Sequence, residues 1–168
     1  MHEFPEFRIV AKADRGLQRL IDVALKLVTL GGQHEYLTRY HTVLGYTLYV
    51  PASWNDDTDA QRFVLLRHER VHLRQRRRYG MLGMAVLYLL PIVPLGLALG
   101  RARLEWEAYA ETLRATAEIH GLAAARDPDM HEYLVRQFTS SAYGWMWPFP
   151  STIRRWIRNV IDELEAAR

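Results

Sequence analysis

The sequence predicts an α+β chain that is predominantly helical, with a small antiparallel sheet just ahead of the longest helix. Three observations carry that expectation. Apolar residues recur at helical spacing through most of the chain, one stretch instead alternates with period two, and Gly and Pro punctuate the segments between. With 168 residues, the chain reads as a single domain, 1–168, long enough to bury a core without disulfide staples. Apolar residues at 49% and charged residues at 24% exclude disorder and fibrous repeats. There is no cysteine, which removes thiolate metal sites and cysteine nucleophiles, so any metal must be held by His and carboxylates.

Taken in order, Asp14 is placed to cap an amphipathic helix carrying Leu17, Leu20, Ile21, Ala24, Leu27 and Val28, which ends at Gly31-Gly32. Between Glu35 and Pro51 the pattern turns aromatic and β-branched. There Tyr46, Leu48 and Val50 alternate with Thr47 and Tyr49, which reads as two short antiparallel strands, with 7–11 as a candidate third. Thr58 and Gln61 stand at capping-box spacing among acidic residues, so a long helix should start there. It runs through Phe63, Leu66, His68, Val71 and His72 to the run Arg74-Gln75-Arg76-Arg77-Arg78 and stops at Gly80. Later helices are expected at about 101–120, from Pro128 behind an Asp127 cap, and from Ser151 to the end.

The segment 81–100 carries no charge over 20 residues, which is transmembrane length. Pro91 and Pro94, with Gly83, Gly96 and Gly100, interrupt it, and each half is only about 15 Å long as a helix. A Pro-interrupted hairpin, buried in the protein or dipping into a membrane, is therefore the expectation. The arginine run at its mouth suits anionic headgroups, making 74–100 a candidate membrane-surface contact. A net charge of +3 and no recognised binding motif argue against nucleic acid as a partner. The N-terminal MHEFPEFRIVAKADRG has no apolar stretch of signal-peptide length, so a cytoplasmic location is expected, with membrane association through 74–100 as a candidate addition.

Chemistry concentrates in His68-Glu69-Arg70-Val71-His72, an HExxH motif on the long helix. The i, i+4 spacing puts both imidazoles on one face as a clamp for zinc. Glu69, beside the first ligand, is placed to act as general base on water without ligating the metal. A catalytic zinc needs a third protein ligand, and the helix expected after 100 offers Glu105 and Glu107 on nearly opposite faces. Glu107 and Glu111, four apart and flanked by Arg103 and Arg114, read as a solvated, ion-paired face. Glu105 shares its face with Ala102, Ala108, Tyr109 and Thr112, small or aromatic residues that allow close approach to the HExxH helix. Glu105 is the preferred third ligand, and Glu107 the alternative.

HExxH followed by the helical Glu105-Trp-Glu-Ala108-Tyr109 resembles the gluzincin clan of zinc metallopeptidases over roughly residues 46–111. The family pattern has Glu, then Ala, Ser or Cys three residues on, then Asp or Asn; this chain has Tyr109 at the last place, which keeps Glu107 in play. The resemblance implies a zincin-like domain, bound Zn, a peptide or protein substrate and peptide-bond hydrolysis, with Glu69 moving the proton. It also implies an edge strand ahead of the long helix that binds extended substrate, which would place Tyr46, Leu48 and Val50 at the substrate. Among Tyr109, Tyr143, His120 and His131, Tyr109 is preferred as the donor to the developing oxyanion. A single membrane span over 81–100 would separate His72 from Glu105, so this site requires the hairpin.

Overall fold

A computed structural model of the chain describes residues 3–11, 41–89, 98–140 and 146–168. The helix expected from Asp14 to Gly31, and Tyr143, lie outside them. The described residues group into two compact units, Met1–Thr58 and Asp59–Arg168.

In the first unit, β1 (Arg8–Ala11), β2 (Thr42–Leu44) and β3 (Thr47–Val50) form a sheet ordered β1-β3-β2, and a 3-10 helix follows at Ala52–Asp56. The sheet is not wholly antiparallel as expected. β2 and β3 make an antiparallel hairpin in the register Val43↔Leu48, while β1 joins β3 in parallel with Ile9↔Leu48. Period-two alternation specifies which face a residue occupies and is silent on strand direction, and the long connection between β1 and β2 permits a parallel return. Along β3 the alternation itself holds, with Leu48 and Val50 buried and Thr47 and Tyr49 half-buried.

In the second unit, α1 (Asp59–Leu89) begins directly after Thr58, and α2 (Leu99–His120), α3 (Leu122–Ala125), α4 (Pro128–Thr139) and α5 (Pro150–Ala166) follow. The expected helix after 127 is capped as read, the Asp127 carboxylate accepting from Asp129 N at 2.8 Å with Pro128 opening the first turn. Ile153, Ile157, Val160 and Ile161 of α5 are buried at i, i+4, i+7 and i+8. They close on Leu113 of α2 and on Leu134 and Phe138 of α4, and Met146 completes the core. Trp106, Phe138 and Trp156 add a cluster of tilted and edge-on rings with centroids 5.3 to 6.4 Å apart.

Two glycines shape the apolar segment. Gly80 breaks α1 at φ 68° and ψ 174°, a conformation open to glycine and costly for other residues. Beyond it the chain is helical again over 81–89. Gly100 then brings α2 back against that piece so closely that a Cβ there would stand 2.8 Å from the Leu87 carbonyl oxygen. Among the described residues no helix is long and apolar enough to cross a membrane. The first arm is not buried, since Met81 and Leu82 are among the most exposed large hydrophobic side chains described. Gly100→Ala is expected to destabilise the chain by about 1–3 kcal/mol, because backbone must move to admit the methyl group. Thermal denaturation beside the wild-type chain measures this.

Candidate metal centre

The site is built where α1 packs against α2. Ala102 and Ala108 on α2 are wholly buried, and side chains this small let the two helices approach closely. Across that contact His68, His72 and Glu105 converge, one donor atom from each lying within 4.8 Å of the others. The two Nε2 atoms are 3.2 Å apart, and His72 Nε2 is 3.7 Å from Glu105 Oε2. Two zinc–nitrogen bonds at a tetrahedral angle set their nitrogens about 3.3 Å apart, so the pair has the spacing of a tetrahedral edge.

The far side of each ring determines which nitrogen faces the cluster. His68 Nδ1 is 3.0 Å from Thr112 Oγ1, and that hydroxyl donates onward to the Ala108 carbonyl at 3.2 Å. His72 Nδ1 donates to Gln75 Oε1 at 2.9 Å. The Gln75 amide nitrogen donates at 2.9 Å both to the Leu104 carbonyl and to Glu107 Oε2, which orients the amide and buries it. On this network both Nδ1 atoms carry the protons, and both Nε2 lone pairs point at each other beside a carboxylate. Three acceptors that close repel one another unless a cation lies among them.

Glu69 is buried next to this group, at 7% exposure. Burial, helped by the charge of Glu105 and opposed by His72, pushes its carboxyl up to about 7. Burial and the neighbouring His72 hold the His68 imidazole well below its ordinary 6.5, so it stays neutral and able to ligate.

Of the two glutamates weighed as third ligand, Glu105 is buried in the cluster, while Glu107 is exposed outside it and holds Gln75. Glu111 departs from the solvated face expected of it. Its carboxylate pairs across the helices with Arg67 and with Arg70, and Arg114 turns to Glu163 at 2.9 Å. Tyr109 is buried, its ring edge-on to His68 at 4.8 Å and to Phe138 at 5.6 Å. His131 Nε2 donates to the Ala125 carbonyl, 2.8 Å away, and His120 is exposed at the end of α2.

The strand expected to receive substrate needs correction. β3 is the central strand, paired on both sides, so its backbone has no edge left for an extended peptide. Leu48 and Val50 are core residues, and Tyr46 stacks on Phe4 at 6.2 Å. Conversely, Gln75 and Thr112 were not read as site residues. The only sequence signal for Gln75 was an uncharged residue three positions after His72 inside an arginine run. Gln75→Leu and Thr112→Val are each expected to weaken metal affinity by about 10- to 100-fold. Competition with a chelating dye reads the change.

Compared with protein-family models, curated proteins and solved structures, the chain matches none. Its function has to be argued from this geometry.

Proposed function

We propose that the chain is a zinc-dependent peptidase of gluzincin type, with His68, His72 and Glu105 as ligands. The observation that carries the reading is the pair of Nε2 atoms 3.2 Å apart, each ring held by its Nδ1, beside the Glu105 carboxylate. Two imidazoles and one carboxylate leave a fourth position open, the composition of a catalytic rather than a structural zinc site. Zn²⁺ held there would polarise a scissile carbonyl and make water acidic enough to attack it at neutral pH. Glu69 takes the proton of the attacking water on its carboxylate and delivers it to the leaving amine. Its burial keeps that carboxylate from being spent on a solvent ion pair. Thr112 and Gln75 hold the two rings in the tautomer that leaves Nε2 unprotonated. Tyr109, packed on the His68 ring, is the candidate donor to the oxyanion.

Hydrolysis of an unfolded protein such as casein tests the reading. The zinc-reconstituted chain should cleave it, 1,10-phenanthroline should stop cleavage, and added Zn²⁺ should restore it. A chain that binds one zinc and leaves the substrate intact would reduce the site to a non-catalytic one.

A further inference from the structure

We infer that the surface around Gly80 is a docking site for an anionic lipid bilayer, with Arg74, Arg77 and Arg78 at the headgroups and Met81, Leu82 and Val86 in the interfacial layer. Leu82 is 81% exposed, Met81 71% and Val86 52%, the three highest values among the exposed large hydrophobic residues described, and they fall within six consecutive positions. Isolated exposed hydrophobes are ordinary, whereas a contiguous set marks an interaction surface. Arg74, Arg77 and Arg78, at i, i+3 and i+4 immediately before the break, are all exposed as well. The Arg78 guanidinium lies 5.2 Å over the Tyr79 ring, and tyrosine with a cation is a pairing suited to the boundary between headgroups and acyl chains.

The combination selects the occupant. Stable attachment without a spanning helix takes two signals, apolar insertion plus basic charge, and the described helices include none able to span. A second copy docking through the same face would set three arginines against three, because a two-fold contact repeats the patch on itself. A nucleic acid would satisfy the arginines and leave Met81 and Leu82 in water, since its backbone offers charge and no apolar layer. This surface shares no residue with the proposed metal ligands, so either reading can fail alone.

Co-sedimentation of the full chain with phosphatidylcholine vesicles, with and without phosphatidylserine, provides the test. The wild-type chain should pellet with the mixed vesicles and release at high salt, and it should bind the neutral ones far less. Changing Arg74, Arg77 and Arg78 together to Gln should weaken binding to the mixed vesicles by about 100-fold. Met81→Ser with Leu82→Ser should weaken it by about tenfold. Both variants alter exposed side chains and should keep the wild-type circular dichroism and metal content. The proposal is overturned if the wild-type chain ignores the phosphatidylserine vesicles, or if the Ser variant binds them as well as wild type. It is equally overturned if the patch instead supports a concentration-dependent dimer, or DNA binding, without vesicle binding.

Discussion

Replacing Glu105 with alanine is expected to lower zinc affinity on the order of a thousandfold and to leave the purified chain without stoichiometric metal. Apparent zinc-binding free energies of roughly 10–16 kcal/mol, shared among three protein ligands, assign about 3–5 kcal/mol to each. Among the described residues Glu105 is the only carboxylate grouped with the two imidazoles, and its Oε2 is 3.7 Å from His72 Nε2. Without it the two imidazoles lose the carboxylate beside them that attracts a dication. His68→Ala should behave the same way. Glu107→Ala should not, because Glu107 acts only by steadying the Gln75 amide from outside the cluster. A loss of about tenfold is expected there, with one zinc per chain retained. Elemental analysis gives the stoichiometry, and chelator competition the affinity. Equal losses for Glu105→Ala and Glu107→Ala, or a Glu105→Ala chain still carrying one zinc, would contradict the site as drawn.

The parts of the site legible in the sequence were those set by spacing along a single helix. His68 and His72 are four residues apart, and helix geometry alone turns them to one face. Glu105 was separable from Glu107 because small neighbours, Ala102 and Ala108, mark the side of a helix that meets another. Both alanines are wholly buried in the structure. What sequence spacing does not encode is the distance between two helices. Thr112 lies 44 residues from His68, and Gln75 reaches Leu104 29 residues away; the Thr112 contact and the bonds that orient the Gln75 amide exist only once α1 and α2 are packed. Gln75 was also concealed by its neighbours, four arginines that read as solvent-facing charge.

The same limit explains the sheet. Alternation in β3 located Leu48 and Val50 on the buried face, but the identity of the neighbouring strands depends on a chain return of some thirty residues between β1 and β2. With β1 parallel on one side and β2 antiparallel on the other, the strand expected at an edge lies in the middle. The apolar stretch was ambiguous for a different reason. Its composition satisfies a membrane as well as a core, and composition does not locate the break at Gly80 or the close approach of Gly100 to the Leu87 carbonyl.

Glu69→Gln should have opposite effects on activity and on stability. A neutral amide cannot accept the proton of the attacking water, so the zinc-loaded variant should bind metal and lose turnover by about a thousandfold. In the metal-free chain the same change should stabilise the fold at neutral and alkaline pH. The Glu69 carboxyl is raised from 4.5 to about 7 by burial, so the folded state holds its proton more tightly than the unfolded state does. Below about pH 4.5 both states are protonated and the residue imposes no penalty; between there and about 7 stability falls as pH rises, and above 7 the loss levels off near 3 kcal/mol. His68 slopes the other way. Its depressed value imposes no penalty above about 6.5, where both states are neutral, and penalises the native state as pH falls below it. Taken alone, the wild-type profile would mix the two slopes. Subtracting it from the Glu69→Gln profile removes the His68 contribution that both chains share. In chelator the variant's midpoint should match wild type near pH 4.5, climb above it toward pH 7, and then hold a gain of about 5–10 °C. A difference that is flat with pH would mean that Glu69 is already solvated or paired in the native chain, and its role as a buried base would fall with it.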